Sequence, residues 1–512
     1  MKNFGAKLKT FVQENHKVLL FMLIFFLLNC IFLGMTCVRY EVPIPSKRFI
    51  LIVALAIIVT ISLCGFVFFA RKKHLPIEKV FLVIGSVLGL MYLFAIPMGR
   101  APDEPHHIWR TYSIAQGGII VETRDQTIGN NIPVNVATFN NYYEKNAYSL
   151  LGERLSEPVS EEQIFWRTIG SNPIDYAPQI VGLTTGRILH LPMVITLYLA
   201  RLCGLIFCIA VIYLCLKHIP ILKKPLFFIS CLPLTMQTFI AISYDGVILC
   251  SAIALISFVI YSIYQNNFKF KAVHYLMLTA ICIALIAVKP VYFPMCLLLF
   301  FIPKRCFKNQ KYKILTVLSI LILVVAAFFL WAILSTVTEP GNGADTNGQI
   351  SFILANPIRY LTILVRNILD MPFKYLSGFS NLEWLNVYTN DFYVIGTVVM
   401  FVVLCINERL TTKAIKLPTS FRWITFILAI ISVVLIYTAL YIQWTQVGEI
   451  SIDGVQIRYI LPVLISIPIL CISPAIKTSG TNQKEIISNV YLYSFIILMN
   501  VNALTAIVCS HI

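Results

Sequence analysis

Stretches of about 20 apolar residues recur from one end of this 512-residue chain to the other, and that recurrence leaves few folds open. Inside a bilayer every backbone N–H and C=O must find its partner within the protein, so runs of this length read as helices that cross lipid. Runs near 17–38, 49–70, 78–98, 192–216, 225–242, 246–264, 273–287, 290–302, 314–337, 392–406, 421–442, 459–474 and 486–510 predict about 13 spans. The two that flank Lys289-Pro290 are short enough to form a broken or re-entrant pair. Composition agrees: 58% of the residues are apolar and 12% charged, with a mean hydropathy of +0.82. A soluble domain carries about 25% charged residues. A cytosolic enzyme, a disordered chain and a disulfide-stapled secreted module are therefore excluded. So is an outer-membrane barrel, which needs period-two segments of about 10 residues. The expected class is an all-α polytopic membrane protein.

Forty Lys and Arg against 23 Asp and Glu give a formal charge of +17. The positive-inside rule accounts for that excess without nucleic acid. Basic clusters at Lys2/Lys7/Lys9/Lys17, Arg71/Lys72/Lys73, Lys217/Lys223/Lys224, Lys269/Lys271, Lys304 through Lys313 and Lys413/Lys416 fall on one side if every run crosses once. Acidic residues fall on the other side, with Glu14, Glu78, Glu408 and Glu485 as exceptions. The expectation is a multi-pass membrane protein with its N-terminus in the cytoplasm and both large loops outside. The chain then divides into the first three spans (1–98), an outer loop (99–191), core spans (192–337), a second outer loop (338–391) and C-terminal spans (392–512). In the second loop Ile358, Leu361, Val365 and Ile368 share one helical face, opposite Arg359, Thr362, Arg366 and Asp370, which predicts a helix lying in the membrane interface. The 14 cysteines lie mainly in or beside apolar runs with no CxxC pair, so they read as small packing residues.

Chemistry concentrates where the third span ends, in Arg100-Ala-Pro-Asp103-Glu104-Pro-His106-His107-Ile-Trp-Arg110-Thr-Tyr112 followed by Gly117-Gly118. Asp103 reads as an N-cap, Pro105 suits the first helical turn, and the glycine pair ends the helix. On it Asp103, His107 and Arg110 share one face. A carboxylate beside lipid and a second carboxylate tends toward a raised pKa, which suits a general base. If a divalent cation is used, Asp103, Glu104 and His107 are the residues to hold it. Elsewhere, Arg201 lies inside a span, where a charge costs about 2.5–3.5 kcal/mol unless it is paired. Lys289 sits at the break between two short runs, Asp245 opens a span as a plausible N-cap, and Arg458 with Tyr459 heads another. Neither Lys289 nor Arg458 has an acidic partner one helical turn away, so both are candidate phosphate ligands.

The Pro-Asp-Glu-Pro-His run resembles the signature of a large bacterial family of predicted multi-pass membrane proteins, long catalogued only as a domain of unknown function. That family is similar to GT-C-type glycosyltransferases that use lipid-phosphosugar donors. Tyr176-Ala-Pro178, Ala200-Arg201-Leu202, Ser243-Tyr-Asp245, Val288-Lys289-Pro290-Val-Tyr292 and Asp453-Gly-Val-Gln456-Ile-Arg458-Tyr459-Ile-Leu-Pro462 follow in the family's order, so the resemblance covers roughly 80–475. It implies a GT-C-like helical bundle that moves a sugar from polyprenyl phosphate to a cell-envelope glycan or teichoic-acid-type acceptor. Asp103 and Glu104 match the catalytic position. His106, His107, Arg110, Arg201, Asp245, Lys289, Tyr292, Gln456, Arg458 and Tyr459 are the implied substrate-binding residues. A transporter, flippase or polymerase of lipid-linked glycans is the rival reading, although no internal repeat favours a transporter.

Overall fold

The computed structural model describes residues 2–43, 46–120, 170–335, 343–376, 381–411, 417–472 and 488–511, with a few isolated positions between 121 and 169. Much of the loop 99–191, including the stretch Phe139 to Glu144, lies outside the described residues. The protein is an all-α polytopic membrane protein. Among the described residues nine helices are long and apolar enough to cross a bilayer. In chain order the helices are α1 (Lys2–Arg39), α2 (Lys47–Lys72), α3 (Ile77–Ala95), α4 (Glu104–Ala115), α5 (Ala177–Ile188), α6 (Met193–His218), α7 (Lys223–Ser230), α8 (Pro233–Ile240), α9 (Asp245–Tyr264) and α10 (Ala272–Ile286). They continue with α11 (Gln310–Leu334), α12 (Thr346–Ala355), α13 (Pro357–Leu376), α14 (Asp391–Thr411), α15 (Thr419–Gln443) and α16 (Asn489–Ser510). The spanning helices lie within α1, α2, α3, α6, α9, α11, α14, α15 and α16.

Four of the runs expected to cross are shorter or broken. The run near 225–242 splits into α7 and α8 at Cys231-Leu232-Pro233, because proline has no N–H to continue the ladder. The carbonyls freed by that break are satisfied from elsewhere: Asn500 Nδ2 donates to Cys231 O at 2.9 Å and Thr235 Oγ1 to Ile229 O at 2.8 Å. Broken backbone at membrane depth survives where protein surrounds it, and here α8 is buried throughout and α7 from Lys224 to Ser230. Helix α10 has 15 residues and so spans about 22 Å, short of a hydrocarbon core of about 30 Å. The apolar helical pieces Pro290–Phe301 and Leu461–Cys471 are shorter still. In the second loop, α12 and the following stretch Pro357–Asp370 meet at 107° across Asn356-Pro357, and counted as one bent span they would make a tenth crossing.

The core is organised on α16, which packs against α1, α2 and α3 and is 94% buried across its apolar window. Its polar residues bond inside the bundle: Asn500 Oδ1 accepts from Tyr92 Oη at 3.0 Å. Helices α5 and α6 come very close, since a Cβ on Gly182 would lie 2.5 Å from Leu199 O and one on Gly186 would lie 2.6 Å from Thr196 Cγ2. That approach fixes the height of α6, and with it Arg201. Two exceptions to the charge pattern have partners at one end of the bundle: Glu78 pairs with Lys223 at 3.3 Å and Glu408 accepts the Leu222 amide at 3.1 Å. Among the described residues the strands form three two-residue ladders. In the one formed by Asn381–Leu382 and Val387–Tyr388, Asn381 pairs with Tyr388 and Leu382 with Val387. Its turn reaches α4's approach, where Trp384 Nε1 donates to Gly99 O at 3.3 Å. The helix expected in the second loop is α13; of its expected apolar face Ile358, Leu361 and Val365 are exposed and Ile368 is half-buried, while Asn367 is buried and fastens the Ile450–Ile452 backbone.

Candidate functional site

Helix α4 starts and stops where the sequence predicts, at Glu104 with Pro105 in its first turn and at Gly117, whose φ is +99°. The carboxylates at its start serve different purposes. Asp103 holds the N-cap position but its side chain caps nothing. Its φ of +60°, uncommon for a residue with a side chain, swings the carboxylate out to Arg458 Nη2 at 2.5 Å. The side chain remains 39% exposed. Glu104 points inward and is fully buried. It accepts from Arg201 Nε at 2.8 Å and Nη2 at 2.5 Å, and from the amides of Gly99 at 2.9 Å, Ala101 at 3.4 Å and Ile242 at 3.0 Å. Arg201 is equally buried, and its remaining donors close the end of α3 by bonding Ile96 O at 2.7 Å and Pro97 O at 3.0 Å. The intramembrane charge is thus paired bidentately, the arrangement that makes a buried guanidinium tolerable. All five donors to Glu104 hold its charge in place, a geometry suited to fixing the α3–α4 junction.

A second group forms around Arg458, in the turn Ile457–Tyr459. Arg458 Nη1 lies 3.3 Å from Asp245 Oδ2 and donates to Pro102 O at 3.1 Å. Asp245 Oδ1 in turn takes Lys289 Nζ at 2.5 Å. The result is a line of ion pairs, Asp103–Arg458–Asp245–Lys289, drawn from four distant parts of the chain. Asp245 does not cap α9; its side chain is spent on the two cations, and its amide donates to Ser243 Oγ at 3.0 Å. Lys289 and Arg458, which have no acidic neighbour along their own helices, take tertiary partners instead. The aromatic residues finish the cradle. Lys289 Nζ sits 4.0 Å from the Tyr459 ring centre and 4.9 Å from that of Tyr244, while Tyr292 Oη donates to Tyr459 O at 2.6 Å.

The other expected residues divide. His107 joins the group: Nδ1 lies 2.7 Å from Tyr176 Oη, and the ring meets Tyr244 edge-on at 4.7 Å. Burial pushes its pKa down to about 3 against the pull of Asp103 and Asp245, so the imidazole is neutral. His106 is buried and packs against Trp109. Arg110 donates to Ser171 O, Gly118 O and Ile119 O at 2.9, 3.1 and 2.9 Å, so it staples the loop ends to α4. Gln456 lies next to the Ile457–Tyr459 turn with Oε1 buried and unpartnered, as is Nε of Arg458. For Asp103 burial alone would raise the pKa, but Arg458 and His107 hold the carboxyl below its usual value. This reverses the raised value expected from the sequence, because a cation stands beside it.

Among the described residues no group of three or more His, Cys, Asp and Glu side chains is placed to hold a metal ion. Of the trio expected for one, Glu104 is committed to Arg201 and Asp103 to Arg458. Sequence reasoning passed over Asp175 and Tyr244. Both lie in or beside motif stretches, Asp175 directly before Tyr176-Ala-Pro178 and Tyr244 inside Ser243-Tyr-Asp245. An apolar crevice of about 370 Å³ runs between α2, α3 and α16, lined by Leu90, Phe94, Ala95 and Leu504 among others, where α3 leads into the site. A family model described as a predicted membrane protein (DUF2142) matches residues 87–467. No curated protein and no solved structure matches the chain.

Proposed function

We propose that this chain, which belongs to the DUF2142 family of predicted membrane proteins, is a GT-C-like glycosyltransferase. In this reading it moves a sugar from a polyprenyl-phosphate donor to a cell-envelope glycan or teichoic-acid-type acceptor on the outer face of the bacterial cytoplasmic membrane. The observation that carries it is the line Asp103–Arg458–Asp245–Lys289. Such a reaction needs a base for the acceptor hydroxyl and cations for the departing phosphate, and this line offers both. The donor phosphate takes Arg458 and Lys289 from their carboxylates. Asp103, relieved of its cation, regains basicity and accepts the acceptor's hydroxyl proton as that oxygen bonds to the anomeric carbon. The bond between sugar and phosphate breaks, and its electrons leave on polyprenyl phosphate. Glu104 and Arg201 keep the α3–α4 junction rigid, and the crevice beside α3 offers an apolar path for the prenyl chain. The N-terminus lies in the cytoplasm and the loops 99–191 and 338–391 lie outside, by the charge pattern of the loops, with the broken run α7–α8, α10 and the pieces Pro290–Phe301 and Leu461–Cys471 each carrying the chain across beside the nine long helices.

Purified protein in lipid nanodiscs with a polyprenyl-phosphate sugar and an envelope-glycan acceptor tests the assignment. Transfer of radiolabelled sugar with release of free polyprenyl phosphate is expected. Movement of intact lipid-linked sugar across the membrane, with the sugar–phosphate bond retained, would make the protein a flippase.

A further inference from the structure

Asp175 lies in the short turn Pro173–Tyr176 just before α5, with its side chain wholly buried. Among the described residues neither carboxylate oxygen has a hydrogen-bond partner. The turn packs against α4, α5 and α9. The ionisable groups these elements and the neighbouring break bring toward it are His107, Arg110, Tyr176, Tyr244, Asp245 and Lys289. Their charges are already engaged. Lys289 and Arg458 balance Asp245 and Asp103, two cations against two carboxylates. Arg110 bonds three backbone carbonyls, and neutral His107 holds Tyr176.

A third carboxylate here would have no counter-ion of its own. An ionised carboxyl buried without partners is far more costly than the neutral acid, so the group resolves the conflict by keeping its proton. Burial raises its pKa well above the ordinary value, Lys289 opposes and Asp245 adds to the rise. A neutral carboxylic acid is a hydrogen-bond donor, and phosphate oxygens accept. Arg458 Nε is a second buried donor with nothing to bond.

We propose that Asp175 is held as a neutral acid and donates its O–H to the phosphate of the lipid-linked ligand, so that binding requires this proton. The ligand class rests on the function proposed above; the proton does not. Raising the pH removes the donor and puts a negative charge beside the phosphate, so affinity is full below the pKa of Asp175 and falls above it.

The test uses the full-length protein in nanodiscs with polyprenyl monophosphate as the probe, titrated upward from about pH 8, where the phosphate itself no longer changes charge. Wild-type affinity should fall roughly ten- to a hundredfold as the donor is lost. Asp175→Asn keeps an N–H donor that does not titrate, so it should bind at pH 8 within about threefold of wild type and lose the alkaline fall attributable to Asp175. A residual fall common to both proteins belongs to groups other than Asp175. Asp175→Leu should fold and bind weakly at every pH. Infrared difference spectra of the unliganded protein give an independent readout: a protonated carboxyl C=O band at neutral pH, absent in Asp175→Asn. An Asp175→Asn titration that parallels wild type overturns the proposal even if sugar transfer is confirmed. Absence of the infrared band overturns the neutral acid. No binding of the probe to wild type overturns the phosphate role and the function above, while a band that Asp175→Asn removes would still establish the buried proton.

Discussion

Glu104→Gln should unfold the protein more readily, because the carboxylate sits wholly buried in a cage of five donors. An amide offers one acceptor oxygen in place of two and puts an NH₂ against the Arg201 guanidinium or the amides of Gly99 and Ile242. Arg201 then keeps its charge with no counter-ion. Breaking a buried pair from one side costs about 3–5 kcal/mol. The stranded amides are part of that loss and are not added to it. Against a total stability of about 5–15 kcal/mol, this is a large fraction. Equilibrium unfolding in mixed micelles with rising denaturing detergent, followed by tryptophan fluorescence, measures it. Removing both charges, with Glu104→Leu and Arg201→Met together, should recover part of the loss, because the uncompensated cation goes too. The recovery stops short since the Gly99 and Ile242 amides remain unpaired, at about 1–3 kcal/mol each. A Glu104→Gln protein within about 1 kcal/mol of wild type that has lost all sugar transfer would refute the structural role and return Glu104 to the chemistry.

Asp103→Asn should show the opposite pattern: its exposed pairing limits the stability change to about 1 kcal/mol, while transfer falls about 10²–10⁴-fold. Since Arg458 and His107 hold Asp103 below its usual value, activity should persist as pH falls through the ordinary aspartate range. Arg458→Ala should shift that acid limb to higher pH, because the cation that keeps the base ionised is gone; pH–rate profiles read it. Arg458→Lys should restore only part of donor use in a titration with polyprenyl-phosphate sugar, since an ammonium cannot bridge Asp103 and Asp245 as the guanidinium fork does. Gly182→Ala should lower the melting temperature, as its methyl would meet the backbone of Leu199 and force α5 from α6 at a cost of about 1–3 kcal/mol. A single cysteine at Asn347 should react with a membrane-impermeant reagent in intact cells and one at Lys308 should not; the reverse result inverts the proposed topology.

The amino-acid sequence by itself determined the class, the long spans and the local shape of the motif helix. Among the described residues nine apolar runs became helices long enough to cross, because lipid leaves the backbone no alternative to bonding within itself. Pro105 and Gly117 set the limits of α4 because proline and glycine act through backbone geometry that needs no partner. What came from tertiary structure was every pairing between separate segments. Arg458 and Lys289 looked like unpartnered cations because their partners, Asp103 and Asp245, lie 355 and 44 residues away in the chain. Asp103 and Glu104 are neighbours of one chemistry, yet a left-handed backbone at Asp103 sends one carboxylate to Arg458 and leaves the other in the cage around Arg201. The 225–242 run is apolar enough to cross, but Pro233 breaks it and Asn500, from the last helix, makes the break tolerable. Hydropathy and propensity are properties of a segment, whereas the strength and pKa of a buried charge depend on what the fold places against it, and only the folded chain decides that.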